Sequence, residues 1–182
     1  IFLAGSIFGG MGASGFPTIV RKLRRILDEE GLSSGIKIGG ALFLPYFGFP
    51  PPGPSDDKDV AYSEAFLEQT QGALHYYHGV LETQPDLFDA LYLVGWDPLI
   101  NLDNHQKGGA PQVNPPMVPE LYGCFAALDF FKSTERNNGK IYHIGRSDDQ
   151  EFNWSDFPPI TDDANDTKTK LGKLLRFAFA YK

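Results

Sequence analysis

The residues best suited to chemistry lie near the start of the chain, in Gly9-Gly10-Met11-Gly12-Ala13-Ser14-Gly15. They follow an apolar run, Ile1-Phe2-Leu3-Ala4, and precede a long amphipathic segment. Strand, glycine loop and helix, in that order, build an anion pocket. Glycines let the backbone bend tightly and approach a phosphate. The N–H groups and positive dipole end of the next helix then hold the negative charge. Ser14 is a candidate N-cap, and Pro17 suits a first helical position, where its missing N–H leaves nothing unpaired. The bland alternative is a tight turn that binds nothing.

Taken strictly, Gly10, Gly12 and Gly15 spell G-x-G-x-x-G, the dinucleotide fingerprint of an NAD(P)-dependent Rossmann oxidoreductase. That pattern expects an acid about 20 residues further on, at the end of the second strand, to hold the ribose. Here the next strand candidate, Ile36 to Leu44, runs into Pro45-Tyr46-Phe47 with no acid. Glu29 and Glu30 stand near the right distance but fall in the preceding helix.

A second loop type fits the same stretch. Ile1 to Phe49 resembles the phosphate-loop region of the tubulin/FtsZ family, with its apolar strand, G-G-G-T-G-S/T-G loop, helix and further strand. Phe8-Gly9-Gly10-Met11-Gly12-Ala13-Ser14 aligns with that loop, and Pro45-Tyr46-Phe47-Gly48-Phe49 with the end of the next strand. Phe88-Asp89-Ala90-Leu91-Tyr92-Leu93-Val94 is similar to the family's following strand, and Trp96-Asp97-Pro98-Leu99 to its base-side N-D-x-L turn. The resemblance covers about the first two-thirds of the chain. Gly9, Gly10 and Gly12 match the loop strictly. Met11 replaces a threonine, Ser14 the last glycine, and Trp96 an asparagine that helps read guanine. The resemblance implies a GTP site, with Mg2+ as the accompanying cation, in which Gly9 to Gly15 hold phosphate. Asp97 and Glu120 would then lie on the base side. It also implies self-association, with hydrolysis completed between subunits. Asn153-Trp154-Ser155-Asp156-Phe157 resembles the hydrolysis loop's N-x-D-F core with one extra residue, which makes Asp156 the catalytic candidate. A non-catalytic scaffold on the same fold is the third possibility, suggested by Met11 and Trp96.

Elements must position these residues. Thr18 to Glu30 has Ile19, Val20, Leu23, Ile26 and Leu27 at helical spacing, with Arg21, Lys22, Arg24 and Arg25 mostly on a solvated opposite face. Gly31 ends it. Ile36 to Leu44 is continuously apolar, as suits a parallel strand covered on both faces. Ala61 to Val80 and Pro119 to Phe131 read as helices, Ala90 to Val94 and Lys140 to Ile144 as strands, and Thr167 to Tyr181 as a last helix. Phe49 to Lys58 and Asn101 to Pro116 read as long loops rich in glycine, proline and polar residues. The order β-α-β-α-β predicts a three-layer α/β fold with a largely parallel sheet and helices on both faces. The glycine segment and Asp97 then share the carboxyl edge, where open α/β sheets bind ligands. His75 and His78 could meet on one helix face, but no third ligand accompanies them, so both are read as solvent-facing.

The whole sequence sets outer bounds. Its 182 residues suffice for one domain with a substantial core, expected over residues 1–182 as a piece lacking N-terminal strands. A net charge of −7, from 16 basic and 23 acidic residues, argues against nucleic acid or anionic membrane as partner. Cys124 stands alone, which excludes an internal disulfide and fits a reducing, cytoplasmic compartment. No apolar run reaches the roughly 18 residues of a membrane span. Gly12 to Phe16 lacks the second glycine of a nucleophile elbow, and the Walker pattern G-x-x-x-x-G-K-S/T is absent.

Overall fold

The computed structural model describes residues 1–51, 63–102, 116–133 and 139–146, together with Thr169, Gly172 and Lys173. Four strands form one parallel sheet: β1 (Phe2–Ser6), β2 (Gly39–Phe43), β4 (Ala90–Trp96) and β6 (Lys140–Arg146), in the order β1-β2-β4-β6. Phe2 pairs with Gly39, Gly39 with Ala90, and Ala90 with Lys140. Two short strands, β3 (Phe47–Gly48) and β5 (Ile100–Asn101), pair separately in parallel. Among the described residues the sheet is flanked by the helices α1 (Phe16–Glu29), α2 (Phe66–Thr83) and α3 (Val118–Lys132), which complete the α/β architecture. The predicted strands and helices are all present, apart from the last helix. There Thr169, Gly172 and Lys173 are helical and the other residues lie outside those described.

Strand β2 is buried along nearly its whole length, as its unbroken apolarity predicts. Its glycines are sized by neighbours on opposite faces. A Cβ on Gly39 would meet the Phe130 ring of α3 at 2.6 Å, whereas one on Gly40 would face Phe16 of α1 and Leu91 of β4. On one face Phe16, Val20 and Leu27 of α1 join Ala73, Tyr77 and Val80 of α2 over Leu42 and Leu91. On the other, α3 packs against β1, β2 and β4, with Phe130 against Phe2. The sheet order runs in one direction, so crossovers of one hand would place all three helices on one face. The connection carrying α3 therefore has the opposite hand to the other two.

Helix α1 ends where Gly31 takes φ +69°. The Leu32 N–H donates to the Leu27 carbonyl at 2.8 Å and the Gly31 N–H to the Asp28 carbonyl at 3.1 Å, the paired bonds of a Schellman cap. The arginine face departs from expectation. Arg21 Nε donates to Gln84 at 2.8 Å, and Arg24 reaches Asp89 at 2.8 Å, so two of the four cations are tied to the end of α2 and the entry of β4. Lys22 and Arg25 are exposed, as predicted.

Backbone contacts divide the chain into two compact units, Ile1–Asp148 and Asp149–Lys182. Cys124 is exposed on α3 and has no disulfide partner. No helix among the described residues is long and apolar enough to cross a membrane.

Candidate functional site

The glycine segment is helical, which corrects the expected loop. The turn after β1 is only Ile7 to Gly9, and helical residues begin at Gly10. Met11 to Gly15 form a π turn continuous with α1, in which the Phe16 N–H donates to the Met11 carbonyl. Ser14 is therefore not an N-cap. It lies inside the helix head, and its hydroxyl donates back to the Gly10 carbonyl at 3.2 Å. Pro17 is the second residue of α1, behind the π turn and no longer at the start of the helix. Gly9 does cap locally: its N–H donates to the Ser6 carbonyl and its carbonyl accepts the Ala13 N–H at 2.8 Å. A helix leaves its first N–H groups without intrahelical acceptors, and here those belong to Gly10, Met11 and Gly12.

The glycines in this head differ in purpose. A Cβ on Gly12 would meet the Ser6 carbonyl oxygen at 2.1 Å, so glycine there lets the helix head lie directly on the end of β1. A Cβ on Gly10 would meet nothing within 4 Å, and Gly10 is exposed. On Gly15 it would press on the flexible Met11 side chain, at 2.8 Å. Met11 is 65% exposed, an apolar side chain at the mouth of the helix head. Ala13 is half-buried and packs against the core.

Glu120 lies in the first turn of α3. Its Oε2 accepts the Met117 N–H at 3.2 Å, and its Oε1 accepts the Tyr46 hydroxyl at 3.4 Å. Burial, then the neighbouring Glu120 carboxylate, pushes the Tyr46 phenol up to about 12. Tyr46 in turn meets Phe8, the residue before the glycine segment, with ring centres 6.4 Å apart. Phe8 also packs against Phe47 and Phe66, at 5.6 and 4.6 Å. An aromatic wall thus stands at the carboxyl edge of the sheet, with the glycine segment on one side and Glu120 on the other. Sequence reading missed Tyr46 as the link, although a buried tyrosine needs a partner for its hydroxyl.

Asp97 follows β4, with a cis bond to Pro98, and is exposed. It lines a cleft of about 790 Å3 with Leu44, Trp96, Leu99, His143 and Gly145, at the carboxyl ends of β4 and β6. Neither Glu120 nor any residue of Gly9–Gly15 lines that cleft. The carboxyl edge gathers all the sequence candidates that lie among the described residues, but as two neighbouring features and not one cavity. Asp156 lies outside the described residues.

A second hollow of about 530 Å3 lies at the opposite edge, lined by Arg21, Arg24, Arg25, Asp28, Gln84 and Asp86. Its arginines are engaged by Gln84, Asp89 and Glu29. His75 and His78 are exposed, and His78 Nε2 lies 3.4 Å from Glu82. Among the described residues no three His, Cys, Asp or Glu side chains gather as a metal site. No protein-family model, curated protein or solved structure matches this chain.

Proposed function

We propose that this protein binds a nucleotide at the carboxyl edge of its parallel sheet, with phosphate at the head of α1. One observation carries the proposal. The helix head begins at Gly10 after a turn of three residues, and Gly10 is exposed with open space beside its Cα, which leaves room for an anion at the start of the helix. The resemblance of Phe8 to Ser14 and of Trp96 to Leu99 to the tubulin/FtsZ family favours GTP. By the resemblance both Asp97 and Glu120 lie on the base side; Asp97, exposed in its cleft, would accept hydrogen bonds from the guanine N1–H and 2-amino group, while Glu120 holds the Tyr46 hydroxyl. Any Mg2+ would be held mainly by phosphate oxygens and water, a common arrangement for this ion. The dinucleotide alternative draws less support, because Phe43, Leu44 and Pro45 occupy the end of β2 where its ribose acid belongs.

Titration calorimetry with GTP, ATP, NAD and NADP tests this on the whole chain. GTP should bind and NAD should not. Gly10→Val should keep the melting temperature of the unliganded protein, because its side chain meets open space, yet lose the GTP-dependent stabilisation. That stabilisation is on the order of 2–4 kcal/mol at saturating ligand. Asp97→Ala should weaken GTP more than ATP. An unchanged GTP-induced melting shift in Gly10→Val would remove the phosphate assignment, and binding of NAD alone would replace it with the oxidoreductase.

A further inference from the structure

The π turn leaves a gap that another element fills. After the Phe16-to-Met11 bond, the next carbonyl in the same ladder is that of Gly12, and its donor would be the N–H of residue 17. Residue 17 is proline and has none. Gly12 is buried, so water does not replace the missing donor. The hydroxyl of Tyr77, on α2, donates to the Gly12 carbonyl at 2.6 Å. Tyr77 is itself 3% exposed, with its ring stacked on Phe88. Burial pushes its phenol upward from the ordinary tyrosine range, so the hydroxyl keeps its proton and remains a donor. Were the head a plain α-helix, the Phe16 N–H would serve the Gly12 carbonyl, which would then not depend on the Tyr77 hydroxyl for a donor.

We propose that Tyr77 is the positioning residue of the glycine segment. Its hydroxyl stands in for the N–H that Pro17 lacks, holds the head of α1 in the π register, and so fixes where the N–H groups of Gly10, Met11 and Gly12 point. The consequence for ligand capture rests on the phosphate site proposed above; the control of register does not.

The test is a double-mutant cycle of Tyr77→Phe and Pro17→Ala in the full chain, read without ligand by hydrogen exchange at the Ala13 and Phe16 amides. Pro17→Ala restores a backbone donor at position 17. Tyr77→Phe alone should speed exchange about tenfold, the loss of one hydrogen bond. In the Pro17→Ala background the same change should alter it less than about twofold. Equal acceleration in both backgrounds, or none in either, overturns the proposal. If Tyr77→Phe does not fold, the double variant must fold for the proposal to stand. GTP titration of the four proteins separates the two claims. A full exchange cycle with no GTP binding by the parent keeps the register role and ends the nucleotide proposal. Intact GTP binding with a flat cycle does the reverse.

Discussion

Asp89 is 3% exposed, and one of its carboxylate oxygens takes two donors. The Ile38 N–H reaches it at 2.7 Å and the Arg24 guanidinium at 2.8 Å. Arg24 also donates to the carbonyls of Leu87 and Asp86, at 3.2 and 3.3 Å. One carboxylate thus fastens α1 to the entries of β2 and β4. Asp89→Ala would leave a buried N–H without its acceptor and a mostly buried cation without its counter-charge. It should cost about 3–5 kcal/mol, seen as a lower urea midpoint. Tyrosines give the residue scale a pH signature. Tyr46 rises from 10.0 to about 12 through burial and Glu120. Tyr77 and Tyr92 also shift upward, chiefly through burial and, for Tyr92, through its bond to Asp129. A raised folded value means that the native state holds its proton after the unfolded chain has released it. This stabilisation is complete below pH 10 and falls as pH climbs through about 12. Urea midpoints measured from pH 8 upward should be level to about 10 and then drop. Tyr46→Phe should make the drop shallower.

Among the elements, α1 tests local rules at both ends. Gly31 needs its positive φ and touches nothing a Cβ would hit. Gly31→Ala should therefore destabilise by about 1 kcal/mol through conformation alone, with Gly31→Asn costing less. Thermal melts of the two variants check the order. This end was legible in the sequence, because a glycine after an amphipathic run is a local signal. The strands were legible for a similar reason: continuous apolar residues at Gly39–Phe43 and Ala90–Val94 have few other uses than a sheet covered on both faces. The helix head was not. Glycines carry poor helix propensity, and what winds Gly10 to Gly15 is tertiary: contact with the Ser6 carbonyl and a hydroxyl from Tyr77, distant in sequence. The arginines failed to read correctly on the same ground, since Gln84 and Asp89 lie beyond any local window. At the carboxyl edge, sequence order placed Gly10 and Asp97 and the family resemblance added Glu120, but neither gave a sign that Tyr46 and Phe8 stand between the glycine segment and Glu120.

At the scale of the whole molecule, hydrolysis is the outer reach of the proposed function. If Asp156 orients water for attack on a nucleotide held by a neighbouring copy, GTP turnover per molecule should climb with protein concentration. Asp156→Ala should abolish that turnover and leave GTP affinity within about twofold, since phosphoryl transfer depends on positioning and charge stabilisation. Turnover constant across concentrations and unaffected by Asp156→Ala would leave binding alone. The sheet carries a further consequence, for how the chain reaches its fold. Every strand of β1-β2-β4-β6 finds its partner across an intervening helix, as the pairs Phe2–Gly39, Gly39–Ala90 and Ala90–Lys140 show. None of these pairs is a hairpin, so no strand pairing within this sheet can nucleate locally. Each must close a long loop before it returns any free energy. Refolding is therefore expected in about milliseconds to seconds, the slow range for a domain built from distant contacts. Until then the edges of Gly39–Phe43 and Ala90–Val94, the most apolar strands, stay open to the same segments of other chains. Aggregation during refolding should scale with protein concentration, and it is set by topology before any ligand is bound.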